Sequence, residues 1–399
     1  MTSNKKKLRV GLFGFGTVGR GLYDLLKAIP SRQVEIARVC VRDISKNRHV
    51  TDLEFTDDAD DIFNDDSINF IVELIDDAEA SWHIVRRALE QRLPVVSGNK
   101  KMLARHLPEL IELQQCTGTA LLYDASACGS IPVIRNLEEY YDNDLLISVK
   151  GILNGSSNFI LSKIFNEGMP HGDALTLARK LGFLESDPTL DLDGWDSLYK
   201  LVILTMHAFG VYVEPERVFT FGITCMSDAD IRFAREKDRR IKLVGHVEKL
   251  PDGRLMMSVM PHLLSRNKYI YSVEDEFNGV VIKGAFYYKQ FMFGQGAGAK
   301  PTSSAVMSDI TACLYDYRYE YKKLHGHNIP HFTNDCTLRI YMRFSADSQL
   351  ERIGFEEITE EYRSLDQRYV VGRVSLANLH ANMEFIRSEG MFVMAYPEN

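Results

Sequence analysis

No apolar run in this 399-residue chain approaches the ~20 residues that a membrane-spanning helix requires, so no membrane partner is expected. Positive charge is in short supply: 47 Lys and Arg face 55 Asp and Glu, a net charge of −8. The dense basic run, Lys5-Lys6-Lys7, leads straight into a strand pattern. Clustered cations are what neutralise phosphates, so this balance excludes a nucleic-acid partner. Cysteine is sparse as well. Cys40, Cys116, Cys128, Cys225, Cys313 and Cys336 are scattered without a C-x-x-C pair, which excludes a disulfide framework and a cysteine-built zinc site and fits a reducing cytoplasm. The N-terminus has positive charge but no separate apolar segment with a small-residue cleavage site, so no secretory leader is expected. Internal repeats and low-complexity segments are also missing.

Apolar residues make up 45% of the chain and charged residues 26%, enough for a sizeable core and for two or three domains. Residues 8–13 read as a buried strand, 14–19 as a glycine turn and 21–29 as a helix ending before Pro30. Strand patterns come next at 34–41, 68–75 and 95–96, with helical patterns at 83–91 and 107–115 and an extended stretch at 120–123. Pro108 suits the first turn of its helix. Strands alternating with helices mean βαβ units and a parallel sheet. The middle of the chain differs. It holds a strand at 148–153, helices at 158–167, 174–181 and 197–209, and period-two strands at 254–260 and 284–293. A returning helix is expected at 309–323. After Gly326 and Pro330 come a strand at 337–344, a helix at 355–365, a strand at 369–376, a helix at 379–388 and a strand at 391–396. The fold class is α/β: an N-terminal Rossmann parallel sheet over 1–130 with the returning helix (about 305–325), an α+β substrate and dimerisation domain over 131–304, and a small α+β module over 331–399.

Gly14, Gly16 and Gly19 form G-x-G-x-x-G between a strand and a helix at the start of the chain. Gly14 permits the tight turn, Gly16 lets main chain approach a pyrophosphate, and Gly19 lets helix pack on strand. The helix start, with Thr17 and Val18, offers free N–H groups and a positive dipole end to phosphates. The cofactor expected is therefore NAD or NADP. The second strand ends in Val41-Arg42-Asp43. Asp43 suits the ribose hydroxyls of NAD. Arg42, with Lys46 or Arg48, suits adenine stacking or a 2′-phosphate, which tilts the reading to NADP.

The segment 178–200 concentrates the chemistry. Glu185, Asp187, Asp191, Asp193 and Asp196 precede Lys200. Asp196 and Lys200 stand at i and i+4 at the start of a helix, on one face. A carboxylate there can hold a substrate ammonium or hydroxyl, and the lysine can deliver a proton to a carbonyl oxygen as hydride reaches its carbon. The competing reading is a surface ion pair on a loop. Two other stretches bear on the choice. Gly98-Asn99-Lys100 sits where a Rossmann strand ends, and Gly151 to Asn158 is a small polar turn between strand and helix, containing Asn154, Gly155 and Ser156. His325, His327 and His331 have an H-x-H-x-x-x-H spacing, which Gly326 and Pro330 make a loop linker rather than a metal site.

At this point the chain resembles the homoserine dehydrogenases. Ala178, Gly182, Phe183, Asp187-Pro188, Asp191, Leu192, Gly194, Asp196 and Lys200 fall at that family's spacing. Gly151 to Asn158 is similar to its G-x-x-N-G-T-T-N turn, Gly98-Asn99-Lys100 to its A-N-K motif, and Gly294 to Val306 to its G-x-G-A-G-x-x-P-T-x-S-A-V stretch. The resemblance covers about residues 8–315. It implies NAD(P)-linked interconversion of L-homoserine and L-aspartate 4-semialdehyde in threonine, methionine and isoleucine biosynthesis. It implies Lys200 as proton donor and acceptor, and Lys100 near the nicotinamide and the reacting oxygen. Glu185, Asp191, Asp196, Asn154, Gly155 and Ser156 would hold the substrate, and Gly182 and Gly298 would touch the cofactor. Departures are Leu184 for a small residue and Asp76-Asp77 where the family has a glycine pair. In the loop 124–132, Asp replaces Glu; Asp124, Ala127, Gly129 and Ile131 either hold a sodium ion or close the loop without one. Residues 331–399 resemble a reduced ACT-type module whose turn, Ala346-Asp347-Ser348, lacks Pro and Gly, so packing or dimerisation is expected of it rather than effector binding. A homodimer or homotetramer is implied by the same resemblance. Two alternatives stay open on sequence: a non-catalytic dinucleotide sensor on the same fold, and a dehydrogenase of another amino-acid semialdehyde.

Overall fold

The computed structural model describes residues 7–29, 33–142, 145–184, 187–364 and 367–396. The chain divides into two compact units, Met1–Tyr140 with Gln295–Lys322, and Tyr141–Gly294 with Lys323–Asn399.

The first unit is a six-stranded parallel sheet. Its strands are β1 (Leu8–Phe13), β2 (Val34–Cys40), β3 (Phe55–Thr56), β4 (Phe70–Glu73), β5 (Val95–Ser97) and β6 (Leu121–Leu122), in the order β3-β2-β1-β4-β5-β6. Helices α1 (Thr17–Ala28), α2 (Asp60–Phe63), α3 (Ala78–Glu90), α4 (Lys100–Thr117), α5 (Ala125–Cys128) and α6 (Val133–Glu139) connect and flank them. Strands buried on both sides read as continuous apolar runs, and Val10, Leu12, Phe70, Ile71, Val72, Val95 and Val96 are all fully enclosed. The α4 helix begins earlier than expected, because Asn99 caps it by accepting the amide of Met102 at 2.9 Å. Pro108 consequently lies inside the helix rather than in its first turn. The returning helix is Ala299–Cys313, ten residues ahead of the expected position. Beyond Cys313 the chain turns at 314–316 and runs on without regular structure to 321, with Asp316 and Tyr321 at φ +59° and +48°, so the helix does not continue there.

The second unit is built on one ten-stranded sheet. Strands β7 (Leu146–Ile152), β8 (Phe219–Thr220), β9 (Arg240–Lys249), β10 (Leu255–Leu264), β11 (Phe277–Gly284), β12 (Tyr288–Gln295), β13 (Thr337–Arg343), β14 (Phe355–Arg363), β15 (Arg368–Ser375) and β16 (Phe392–Ala395) run β12-β11-β7-β9-β10-β16-β13-β15-β14, with β8 on β10. Helices α7 (Gly155–Glu167), α8 (His171–Lys180), α9 (Thr189–Leu192) and α10 (Trp195–Phe209) precede β8. The C-terminal strands continue the sheet through the parallel pair β10–β16. They are pinned by Asp230, whose carboxylate accepts from Tyr341 at 2.9 Å and from Arg343 at 3.0 Å. Residues 355–363 form the edge strand β14, not the expected helix. Phe355, Ile358 and Tyr362 are spaced like a helix face, but register shifts at Phe355/Glu357 and Ile358/Glu360 interrupt the alternation, so a twice-bulged strand mimics the helical pattern.

Candidate active site

In the first unit the glycine loop is shaped partly by the protein and partly for something else. Gly14 has φ +94°, and a Cβ on it would meet the Leu74 carbonyl at 2.6 Å. A Cβ on Gly19 would strike the Gly14 carbonyl. Gly16 has no neighbouring atom within 4 Å of that position, so packing alone gives no reason for its bareness. It is the N-cap of α1 with no side-chain cap bond and no acid in the first turn, which leaves the helix amides to an anion. Thr17 is exposed and Val18 half-buried in that turn. Gly298, at φ +113°, starts the returning helix without a side-chain cap too.

In the turn after β2, Asp43 Oδ1 accepts the amide and hydroxyl of Ser45 at 2.9 and 2.6 Å, and Ser45 holds the carboxyl below its usual range. Arg48 donates to the carbonyls of Lys46 and Asp43 at 2.8 and 2.7 Å and lies 5.2 Å over the Phe55 ring. Arg48 therefore shapes the loop, while Arg42 and Lys46 are exposed cations beside it. Asp77, half of the acidic pair, turns its carboxylate onto α3, accepting the Ala80 amide at 2.8 Å as the helix cap. Lys100 is the first residue of α4.

In loop 124–131, Asp124 Oδ1 accepts the amide of Ile134 at 3.0 Å, and its own amide donates to Asp309 at 2.9 Å. Asp309 in turn pairs with Arg135 at 2.6 Å. Burial pushes both carboxyls up, against the pull of Arg135. Two buried acids thus share one guanidinium. Gly129, at φ +54°, admits no Cβ because the Gly296 carbonyl would stand 2.6 Å away. Among the described residues no group of three or more His, Cys, Asp or Glu is placed to hold a metal ion. His325 ends a short 3-10 turn, Lys322–His325, and His327 and His331 follow it outside regular structure.

The second unit carries the polar cluster. Every residue of α10 after Trp195 is buried, as expected of a helix apolar on nearly all faces. That burial carries Asp196 and Lys200 inside with it, at 4% and 6% exposure, so the surface ion-pair reading fails. Lys200 Nζ lies 2.8 Å from Asp196 Oδ2 and donates to the Leu153 carbonyl at 2.7 Å. Asn154 Nδ2 donates to Asp191 at 2.6 Å and Asp196 at 2.9 Å, while its Oδ1 caps α7 on the Ser157 amide at 2.8 Å. Gly155 is obligatory, since a Cβ would meet the Glu276 carbonyl at 2.5 Å; Ser156 is half-buried beside it. Gly182 has φ +79° and open space around it. Glu185 lies outside the described residues. Sequence reasoning missed Asn278, fully buried on β11. Its Nδ2 shares the Leu153 carbonyl with Lys200, at 3.1 Å, and its Oδ1 has no partner. Nothing in its strand pattern distinguishes it from a packed residue.

Comparison with known proteins agrees with this chemistry. The family model described as homoserine dehydrogenase matches residues 132–311, and that of the homoserine dehydrogenase NAD binding domain matches residues 14–124. Homoserine dehydrogenase of Bacillus subtilis is 34% identical over 324 residues, covering 78% of this chain and 74% of that protein. The Helicobacter pylori homoserine dehydrogenase is 34% identical over 313 residues, 77% of this chain and 73% of its own length. The solved homoserine dehydrogenase of Thiobacillus denitrificans superposes with a TM-score of 0.84 at 28% identity, covering 98% of this chain and 99% of its own. A hyperthermophilic archaeal homoserine dehydrogenase mutant in complex with NADPH has a TM-score of 0.68 at 26% identity, covering 79% and 99%. The chain belongs to the homoserine dehydrogenase family, oxidoreductases that act on a CH–OH group with NAD(P).

Proposed function

We propose that Lys200 holds and moves the proton in the interconversion of L-homoserine and L-aspartate 4-semialdehyde. The buried Lys200–Asp196–Asn154–Asp191 chain carries this reading. A substrate carbonyl beside Lys200 Nζ is polarised by the ammonium and takes its proton as the alkoxide develops; in the opposite direction the amine accepts the hydroxyl proton. Asp196 and the Leu153 carbonyl hold the amine in one place, which keeps reorganisation low at the moment of transfer. Asp191, Asp196 and the unpartnered Asn278 Oδ1 suit the substrate ammonium. The start of α7 at Gly155 and Ser156 suits its carboxylate. A bound nicotinamide would supply or take the hydride. Its dinucleotide would be held at Gly14, Gly16, Thr17, Val18 and Gly19, with Gly182, Gly298 and Lys100 as further contacts. Exposed Arg42 supports a preference for NADP, through its 2′-phosphate.

The finer assignments rest on separate observations. A sodium ion at Asp124 and the carbonyls of Ala127, Gly129 and Ile131 suits an all-oxygen donor set, and would balance the second of the two buried acids that share Arg135. A homodimer or tetramer is supported by the aromatic surface at β12, where exposed Tyr269 and Phe293 stack on half-buried Phe291 and Phe277. The ACT-like module serves packing, given its continuity with the main sheet. No helix among the described residues is long and apolar enough to cross a membrane. A cytoplasmic place in threonine, methionine and isoleucine biosynthesis completes the proposal. Its test is hydride transfer with L-homoserine and each dinucleotide, in the wild type and in Lys200→Ala. A folded variant that turns over at the wild-type rate would remove the mechanism.

A further inference from the structure

Glu73 ends β4 and is wholly buried in the first unit. It pairs in register with Phe13 of β1 and Ser97 of β5, so it stands at the carboxyl ends of the parallel strands, where open α/β sheets bind their ligands. Its Oε1 accepts the Ile75 amide at 2.8 Å, and its Oε2 accepts the Ser97 hydroxyl at 2.6 Å. Ser97 Oγ in turn accepts the Asn99 amide at 3.2 Å. Asn99 Nδ2 donates back to the carbonyls of Ile75 and Asp76 at 3.0 and 3.3 Å, while Asn99 Oδ1 caps α4. The Gly98 amide closes the set on the Glu73 carbonyl at 3.0 Å. One carboxyl therefore ties loop 74–77 to loop 97–99, and α4 begins where the second loop ends, with Lys100.

We propose that Glu73 is a positioning residue for the dehydrogenase, fixing through Ser97, Asn99 and Ile75 the two loops that seat the nicotinamide half of the dinucleotide and orient Lys100. This rests on the reading of the glycine loop and Lys100 as cofactor contacts. Glutamine is not equivalent. A side-chain amide keeps an acceptor for Ile75 but offers only a donor to Ser97, whose hydroxyl must then accept instead of donate and leaves its own proton without the carboxylate. Burial pushes the Glu73 carboxyl up to about 7, opposed by the hydroxyls of Ser81 and Ser97 and the Ile75 amide, with Asp76 the charged group facing it. The ionised form accepts both donors and the protonated form loses one acceptor site. The loops accordingly tighten as pH rises through about 7. Stability runs the other way: the folded state keeps a proton that the unfolded carboxyl releases near its ordinary value, so this contribution falls as pH rises from about 4.5 to about 7.

The test compares wild type, Glu73→Gln and Ser97→Ala. Hydrogen exchange at 74–77 and 97–101 is read without cofactor, and NADPH and NADH dissociation constants by fluorescence at pH 6 and pH 8. Both variants should exchange faster in those loops and bind the dinucleotides roughly tenfold more weakly. The wild type should bind more tightly at the higher pH, and Glu73→Gln should show no such dependence. Wild-type exchange, affinity and pH profile in a folded Glu73→Gln would overturn the proposal. If that variant does not fold, unchanged exchange and affinity in Ser97→Ala would overturn it equally. Full turnover in Lys100→Ala would remove the Lys100 reading alone, because loop exchange and dinucleotide affinity are measured without catalysis.

Discussion

In the first unit the atoms prepared for a ligand are main-chain atoms; in the second they are side chains. Gly16 has empty space where a Cβ would stand, and the amides of α1 lack a side-chain cap. Around α10 the reverse holds: Lys200, Asp196, Asn154 and Asp191 satisfy one another inside a buried helix and turn. The difference suits the two proposed tasks. A pyrophosphate is held by amides and dipole, and the requirement is that nothing protrude. Proton transfer needs a charge taken out of water, and such a charge persists only when partners surround it.

That comparison can be broken at its strongest point first. Lys200→Ala should lower kcat by roughly 10²- to 10⁴-fold. It should also lower the melting temperature, since Asp196 is left buried without its cation, while the dinucleotide dissociation constant stays unchanged. An equal loss of cofactor affinity would show that the second unit does not separate the two tasks. Arg42→Ala should lower kcat/KM for NADP roughly tenfold and leave NAD nearly untouched. Parallel kinetics with the two dinucleotides decide it. Gly16→Ala should raise the KM for dinucleotide by roughly tenfold, about 1.4 kcal/mol, at an unchanged melting temperature. Gly19→Ala should lower the melting temperature, because its added methyl presses on the Gly14 carbonyl. If both behave alike, Gly16 is a packing residue. The smallest effect concerns Asp124. Replacing sodium by tetramethylammonium at fixed ionic strength should lower the melting temperature by about 2–4 °C, a change of ~1 kcal/mol in a domain of this size.

Much of the site was legible because its spacing is local. The strand, glycine turn and helix at the N-terminus, the polar turn that contains Asn154 and the i, i+4 relation of Asp196 and Lys200 all arise from short-range geometry. The misreadings share a cause. The bulges in β14, the interior Pro108 and the turn that ends the returning helix at Cys313 each depend on a neighbour that the local pattern does not contain. Glu73 and Asn278 were invisible for the same reason, because a buried polar residue within an apolar strand announces itself only through what it touches.

The amino-acid order alone put Asp196 and Lys200 on one helical face and left Gly14, Gly16 and Gly19 free of side chains. It did not determine whether that ion pair would meet water. Only the sheet topology, which brings Leu153 and Asn154 from the end of β7 onto α10, settled that it would be enclosed. Burial belongs to residues more than forty positions apart, and a periodicity of three or four cannot encode it.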